Sequence, residues 1–174
     1  MRTQQLVLGC LMVLVLAACA RVDRAMEPED TVRMVVVSRE EVRDTLIPKP
    51  TTLRFLDGPG MIPSPMHVRH DPDDAGARGA AGMLEEEVPE RVRIHATTDL
   101  TPRWARMIIR PADPPLEDQE AYRLTVDDAG VVLEATGADG FLAGARRVMQ
   151  LMELSPDART AVRFPAFTVE EPGP

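Results

Sequence analysis

The chain has 174 residues with 20 Lys and Arg against 28 Asp and Glu, so its formal charge at neutral pH is −8. This acidic balance argues against a nucleic-acid-binding protein, because phosphate recognition needs clustered cations. Aromatic residues make up 3% of the chain, which argues against a broad stacking surface for sugars or single-stranded bases. The hydrophobic content of 44% is enough for a packed core, and sixteen Pro and eleven Gly indicate short elements joined by loops.

The start of the chain has the pattern of a signal peptide. An apolar run over residues 6–18 follows the single cation Arg2. The run is shorter than the roughly 20 residues that span a bilayer, and it fits the apolar region of a leader. Its end, Leu16-Ala17-Ala18-Cys19, resembles the lipobox of bacterial lipoproteins, which implies cleavage before Cys19 and lipid attachment to its thiol. The alternative is an ordinary secretory leader in which Cys19 is incidental.

The chain is therefore expected to divide into a lipoprotein signal peptide (1–18), a tether with a leading strand (19–46) and a folded domain (47–174). A lipid on Cys19 predicts an exported protein of the bacterial cell envelope, anchored to a membrane, since several acyl chains anchor stably where one is marginal. Cleavage would also remove Cys10, so the mature chain would keep one Cys and form no intramolecular disulfide.

In chain order, alternating or β-branched apolar residues predict strands at 31–37, 51–55, 66–70, 107–110, 121–126 and 131–135. The strand at 51–55 is expected to end at the Asp57-Gly58 turn, and the turn at 127–130 to close an antiparallel hairpin. Apolar residues at helical spacing predict helices over 71–88 and 138–154. Asp73 or Asp74 would cap the first helix, and a capping box of Thr136 and Asp139 the second. The segment 39–43 is either helix or loop.

These elements predict an α+β fold, a small sheet with an antiparallel hairpin packed by two helices. Several runs within them resemble one family. These runs are Glu120 to Val126, Val131 to Ala135, Gly140-Phe141-Leu142-Ala143-Gly144 with Val148-Met149-Gln150-Leu151, Ile47-Pro48-Lys49-Pro50, and Phe164 to Pro172. They resemble the small α/β domain that precedes the catalytic barrel in glycoside hydrolase family 20, the β-N-acetylhexosaminidases. The resemblance implies that Gly140 and Gly144 are close-packing positions, and that residues 164–172 lead into the first barrel strand.

In that family the chemistry belongs to the barrel. There an Asp-Glu pair orients the substrate's acetamido group as nucleophile and protonates the leaving oxygen, a recognised exception to the two-carboxylate route. The sequence given stops at Pro174, where the resemblance would start the barrel, and it holds no Asp-Glu dipeptide. No catalytic residue is therefore expected, and no turnover by this chain alone.

The leading hypothesis is the non-catalytic N-terminal domain of a β-N-acetylhexosaminidase-like lipoprotein. It would be linked to hydrolysis of terminal N-acetylhexosamine from glycans only if a barrel is supplied. One alternative is a stand-alone envelope lipoprotein that acts as a binding or scaffold domain. Another is a fragment separated from its barrel by a frameshift or a misplaced stop. The expected partners are a membrane, through the lipid, and a catalytic barrel or another envelope protein.

The histidines are interpreted as surface residues. His67 and His70 lie three apart on a predicted strand and so face opposite sides, and His95 has no fixed relation to them. The His-Glu-x-x-His helix of zinc peptidases is missing, so no metal site and no cofactor are expected.

Other residues of chemistry-bearing types are also interpreted as structural. The acids at 85–87, 117–118 and 127–128 are expected to be solvated or to stabilise turns. Ser38, Ser64 and Ser155 lack the Gly-x-Ser-x-Gly context of a serine hydrolase. Trp104 is the single candidate for a sugar platform, and it is expected instead to cover part of the core.

Overall fold

The computed structural model describes residues 33–100 and 106–172, and the predictions for Cys19 and Trp104 lie outside them. Within these residues the chain forms eight strands and three helices. The strands are β1 (Arg33–Val36), β2 (Thr52–Ile62), β3 (Met66–His70), β4 (Val92–Ala96), β5 (Arg106–Pro111), β6 (Tyr122–Asp127), β7 (Gly130–Ala135) and β8 (Thr160–Glu171). The helices are α1 (Arg39–Thr45), α2 (Ala75–Glu87) and α3 (Ala138–Met152).

The strands form one mixed sheet in the order β1-β8-β6-β7-β5-β3-β4, with β2 also paired to β8. The predicted hairpin of β6 and β7 is confirmed, and Gly130 at φ +125° supplies the positive φ that its turn requires. β3 runs parallel to β4 and to β5, and β5 runs parallel to β7. The fold is α+β as predicted, but the sheet is larger than expected and a third helix is present.

All three helices lie on one face of this sheet, and the core fills the space between. Five apolar residues at helical spacing predicted this helix, and four of them are buried in α2: Ala77, Ala80, Ala81 and Leu84. The fifth, Val88, is the half-buried residue that follows the last turn. α2 and α3 touch where Gly76 meets Phe141, because a Cβ on Gly76 would lie 2.7 Å from the Phe141 ring. On the opposite, helix-free face the strands present mainly charged and hydroxyl side chains. We call this second surface the open face.

β2 differs from the prediction, which ended it at Asp57-Gly58. The strand continues to Ile62, and its pairing with β8 shifts register between Phe55 and Pro59. Gly58, at φ +93°, lies inside this irregularity. The turn signal therefore marks a bulge and not a strand end, because the residues after it still find hydrogen-bonding partners on β8.

One predicted helix cap is confirmed and the other is wrong. Asp74 accepts a hydrogen bond from the Ala77 N–H at 2.8 Å and caps α2. At α3 the N-cap is Gly137, with no side-chain cap bond. Thr136 Oγ1 instead accepts from the Leu116 N–H at 2.8 Å, because the loop before β6 has an orphan backbone donor there. Ser38 and Glu41 form a capping box that starts α1, which resolves the 39–43 segment as helix.

Two strands were missed by the pattern analysis. β4 was missed although its apolar residues, Val92, Ile94 and Ala96, alternate with Arg93 and His95. Only Val92 is buried, because β4 lies at the end of the sheet. β8 was expected to lead into a barrel, but it pairs with β1, β2 and β6 and lies inside this domain's own sheet. Burial on both faces gives β8 a near-continuous apolar pattern in place of the alternation that predicts a strand.

Candidate functional site

The structure places the histidines partly as predicted. His67 and His70 face opposite sides of β3, since His67 is exposed on the open face and His70 is buried against the core. The prediction for His95 is wrong, because β4 brings it onto His67. Their rings stack with centroids 5.1 Å apart, and His67 Nδ1 lies 2.9 Å from His95 Nε2. One of these two nitrogens must be protonated and the other must accept.

Three arginines surround this histidine pair. β3 pairs with β4 and β5 so that His67 lies opposite Arg93 on one side and Arg106 on the other, and Arg69 follows on β3. We call these five residues, His67, Arg69, Arg93, His95 and Arg106, the His67 cluster. Partial desolvation by its neighbours is the largest cause that lowers the pKa of His67, and the charges of His95 and the three arginines lower it further.

The remainder of the open face carries a charge ladder across β5, β7, β6 and β8. Arg110 Nη2 lies 2.8 Å from Glu134 Oε1, and Glu134 Oε2 lies 3.6 Å from Arg123 Nη1. Arg123 Nε then donates to Glu170 Oε1 at 2.7 Å. Strand register puts each of these residues directly opposite its partner, so the ladder follows from the pairing of the strands.

A second polar group lies on the covered side, where β8 ends. Arg147 of α3 is buried, and its Nε donates to Tyr122 Oη at 2.9 Å. Its Nη2 donates to Glu171 Oε1 at 3.3 Å, and Glu171 also accepts from the Thr51 N–H at 3.2 Å. Its Nη1 donates to Gln150 Oε1 at 3.3 Å. This group, which we call the Arg147 node, fastens α3 to β6, to the end of β8 and to the entry of β2.

Tyr122 shows how buried the Arg147 node is. Burial raises the pKa of the Tyr122 phenol above its ordinary value, and the hydrogen bond from Arg147 partly opposes that rise. The neutral phenol therefore bridges an arginine and the apolar core. Tyr122 and Gln150 belong to the motifs of the family resemblance, but Arg147 carried no signal, because a charged residue inside a helical pattern is usually assigned to solvent.

Acids and serines take the structural roles that were predicted for them. Glu85 to Glu87 are exposed. Asp127 Oδ1 accepts from the Ala129 N–H at 2.8 Å, and Asp118 Oδ1 accepts from the Glu120 N–H at 3.0 Å, which stabilises the turns. Ser155 is buried, and its Oγ lies 2.7 Å from the backbone carbonyl oxygens of both Asp157 and Thr160, so its single O–H is committed to the loop after α3.

The two glycines implied by the resemblance pack as expected. A Cβ on Gly140 would collide with the carbonyl oxygen of Ala121, and one on Gly144 would collide with the side chain of Leu133. α3 can therefore lie directly on β7 and the start of β6. By contrast, nothing lies within 4 Å of a Cβ built on Gly79, on the outer side of α2.

In residues 33–100 and 106–172, no group of three or more His, Cys, Asp or Glu is placed to hold a metal ion. In the same residues no helix combines the length and the apolar character needed to cross a membrane.

The family model of glycosyl hydrolase family 20, domain 2, matches residues 44–171. Among solved structures, the chain is similar to the N-acetyl-β-hexosaminidase of Streptomyces plicatus, at 25% identity and a TM-score of 0.54 over 74% of this chain and 26% of that one. It also shares its fold with the GH20 exo-β-N-acetylglucosaminidase of Vibrio harveyi, at 17% identity and a TM-score of 0.54, over 75% of this chain and 19% of that one. No curated protein sequence matches the chain significantly.

The chain thus spans between 19% and 26% of the length of these two solved proteins. The hairpin, the glycines of α3 and seven strands of the mixed sheet, β2 to β8, lie within the region that the family model matches. On that match, the chain belongs to glycosyl hydrolase family 20 through its domain 2.

Proposed function

We propose that this chain is the non-catalytic accessory domain of a lipid-anchored, β-N-acetylhexosaminidase-type protein. In this proposal a catalytic barrel, supplied by further chain or by a partner, hydrolyses terminal N-acetylhexosamine from glycans. The match of the domain 2 model over residues 44–171 carries the proposal. The similarity to the N-acetyl-β-hexosaminidase of Streptomyces plicatus supports the same reaction class.

The helix layer suits the role of a domain that holds a barrel in place. The Arg147 node fixes the end of β8 against α3, so the backbone at Glu171 leaves the domain in a defined position beside the helices. A rigid exit would keep a following barrel in one orientation, because interfaces between domains depend on the linker as well as on the contact area.

An immunoprecipitation tests the link to catalysis. Antibody against residues 47–160 is used on the membrane fraction of the source cells, and the precipitate is assayed with an aryl N-acetyl-β-glucosaminide. We expect activity in the precipitate, released together with this domain. A precipitate that contains the domain in quantity but hydrolyses no substrate would contradict the proposal.

The anchor is tested separately by metabolic labelling with a clickable palmitate analogue. Lipid attachment to the Cys19 thiol predicts that the labelled band disappears in Cys19→Ser. The matched control is Cys10→Ser, which changes the same residue type inside the leader and should keep the label. Label that persists in Cys19→Ser would remove the lipoprotein part of the proposal and leave the accessory role standing.

A second candidate function is a free-standing envelope lipoprotein that binds a partner. The observation in its favour is a set of large apolar side chains exposed in the described residues, Met34, Val36, Ile47 and Leu56. Met34 and Val36 both lie on β1, and such exposure is common at contact surfaces. For this candidate the immunoprecipitate should contain a partner and no hydrolase activity. A purified chain that stays monomeric and binds no apolar probe would weaken it.

A further inference from the structure

The His67 cluster is the part of the open face where positive charge exceeds negative charge. Arg69 pairs with Asp99 at 3.0 Å. Arg93 Nη1 donates to the carbonyl oxygens of Pro89 and Val92, at 3.0 and 2.7 Å, so its charge meets no carboxylate in the described residues. The buried Nη1 of Arg106 has no hydrogen-bond acceptor within the part of the chain that the structure describes. In the described residues, the His67 cluster therefore forms a single ion pair with a carboxylate, the one between Arg69 and Asp99.

The charge ladder on the same sheet gives the contrast. There each arginine faces a glutamate across the strands, so the ladder is electrically balanced. The His67 cluster has the same strand geometry, with neighbours about 4.8 Å apart. It lacks the facing acids, in a chain whose net charge is −8. Cationic side chains this close repel one another, and a bound anion would relieve that repulsion.

We propose that the His67 cluster binds a tetrahedral oxyanion, a phosphate or sulfate group, on the open face of the sheet. Guanidinium groups present forked donors that match such an oxyanion, and the imidazoles add donors when protonated. A metal ion fits poorly, because the three guanidinium charges repel cations and the facing nitrogens of His67 and His95 already bond each other. The inference goes beyond the proposed function and is independent of it.

Anion binding would be coupled to the histidine protons. Without an anion, partial desolvation and the charges of His95 and the three arginines of the cluster lower the pKa of His67. The carboxylate that faces the cluster is Asp99, which forms an ion pair with Arg69. A bound dianion beside the imidazoles favours their charged form and should raise the pKa of His67. Binding should therefore be tighter below the pKa of His67 in the complex and weaker above it.

The chain offers an internal control for this experiment. It has three histidines, and His70 is buried on the opposite face, where its Nδ1 lies 3.0 Å from the Asp71 carbonyl oxygen. The imidazole signals of the full chain are followed by NMR against pH, with chloride replaced by inorganic phosphate at constant ionic strength. We expect the pKa of His67 to rise with phosphate and the imidazole signals of His95 to move, while the signals of His70 on the opposite face do not respond to phosphate. Equal pKa values in phosphate and chloride would overturn the proposal.

Two substitutions locate the site. Arg93→Gln changes an exposed residue, and Arg106→Gln changes the arginine whose buried Nη1 has no acceptor among the described residues. Each should weaken phosphate binding by about fivefold or more, since each removes a charge-assisted hydrogen bond. The matched control is Arg123→Gln in the charge ladder, which should leave the affinity unchanged. Equal weakening in all three variants would mean a general effect of net charge and would contradict a built site.

The same titration distinguishes the sources of the oxyanion. Inorganic phosphate, inorganic sulfate, glycerol phosphate and vesicles of anionic phospholipid are compared at matched charge. A response to phosphate and sulfate alone assigns a free ion. A stronger response to glycerol phosphate assigns an ester, and a response to vesicles in addition assigns a lipid headgroup. If none of these probes shifts the His67 signal, the cluster binds no oxyanion and the proposal fails.

Discussion

The two faces of the sheet are made by the same strands but carry different side chains. On the covered face, Leu124 and Leu133 are fully buried under α3. One residue further along the same strands, Thr125 and Glu134 point to the open face. Strand alternation thus separates an apolar packing surface from a charged one with no change of element.

The residues that carry the family resemblance contribute mainly to the covered face. The motif glycines, the node residues Tyr122 and Gln150, and the apolar stripes all serve the covered face, where a change of one methyl group is felt. The open face carries pairs that tolerate exchange, because their charges stay partly solvated. Chain-specific chemistry such as the His67 cluster is therefore expected on the open face.

The sharpest test of this comparison substitutes two neighbouring residues of β6. Leu124→Ala should lower the free energy of unfolding by about 3 kcal/mol, because a fully buried side chain leaves a cavity. Thr125→Ala removes a half-buried hydroxyl that lies 3.2 Å from Thr168 Oγ1, and it should lower it by less than about 1 kcal/mol. Urea denaturation of both variants measures the difference. Equal losses would break the distinction between the faces.

Two helical glycines test the close packing of α3. Gly140→Ala should destabilise the fold by about 2 kcal/mol, because its Cβ collides with the backbone of Ala121. Gly79→Ala is the matched control, since a Cβ there meets open space in the middle of a helix, and it should stabilise by about 0.5 to 1 kcal/mol. Thermal unfolding of both variants measures whether each substitution lowers or raises the stability. A stabilising Gly140→Ala would contradict the direct contact between α3 and β6.

Arginines on the two faces provide the next comparison. Arg147→Met removes a buried donor and leaves Tyr122 Oη and Glu171 without it, which should cost about 2 kcal/mol in the free energy of unfolding. Arg123→Met removes a partly solvated member of the charge ladder and should cost about 0.5 kcal/mol. Chemical denaturation at low and high salt separates them, since salt should shrink the Arg123 effect alone. A larger loss of unfolding free energy in Arg123→Met than in Arg147→Met would contradict the difference between the two faces.

The smallest effect is a pH dependence above neutrality. Burial raises the pKa of Tyr122 above 10.0, so folding favours the neutral phenol. The stability it contributes is present below pH 10 and is lost as the pH rises through the pKa of the folded state. Because Tyr122 is the single tyrosine, tyrosinate absorbance reports it directly. Arg147→Met should raise that pKa further. Titration at the ordinary tyrosine value in the folded chain would contradict the buried node.

Sequence reasoning found those elements whose local signals agree with the tertiary structure. Hairpin β6–β7 and the stripe on α2 needed no knowledge of distant residues, and the glycines of α3 followed from the family motif. The failures have long-range causes. β8 is buried on both faces, so its sequence lacks the alternation of apolar and polar residues that predicts a strand. β2 continues past its bulge because the residues after the bulge still pair with β8. The His67 cluster needs the pairing of β3 with both β4 and β5, and no spacing along the chain encodes it.

Our proposal that this chain is a non-catalytic accessory domain is tested most directly by an assay of the purified full chain. Aryl N-acetyl-β-glucosaminide is incubated with increasing protein, and release of the aryl alcohol is followed. The account predicts a rate equal to the blank at every protein concentration. Release that rises in proportion to protein and persists through repurification would contradict it, and would place a catalytic site within these 174 residues.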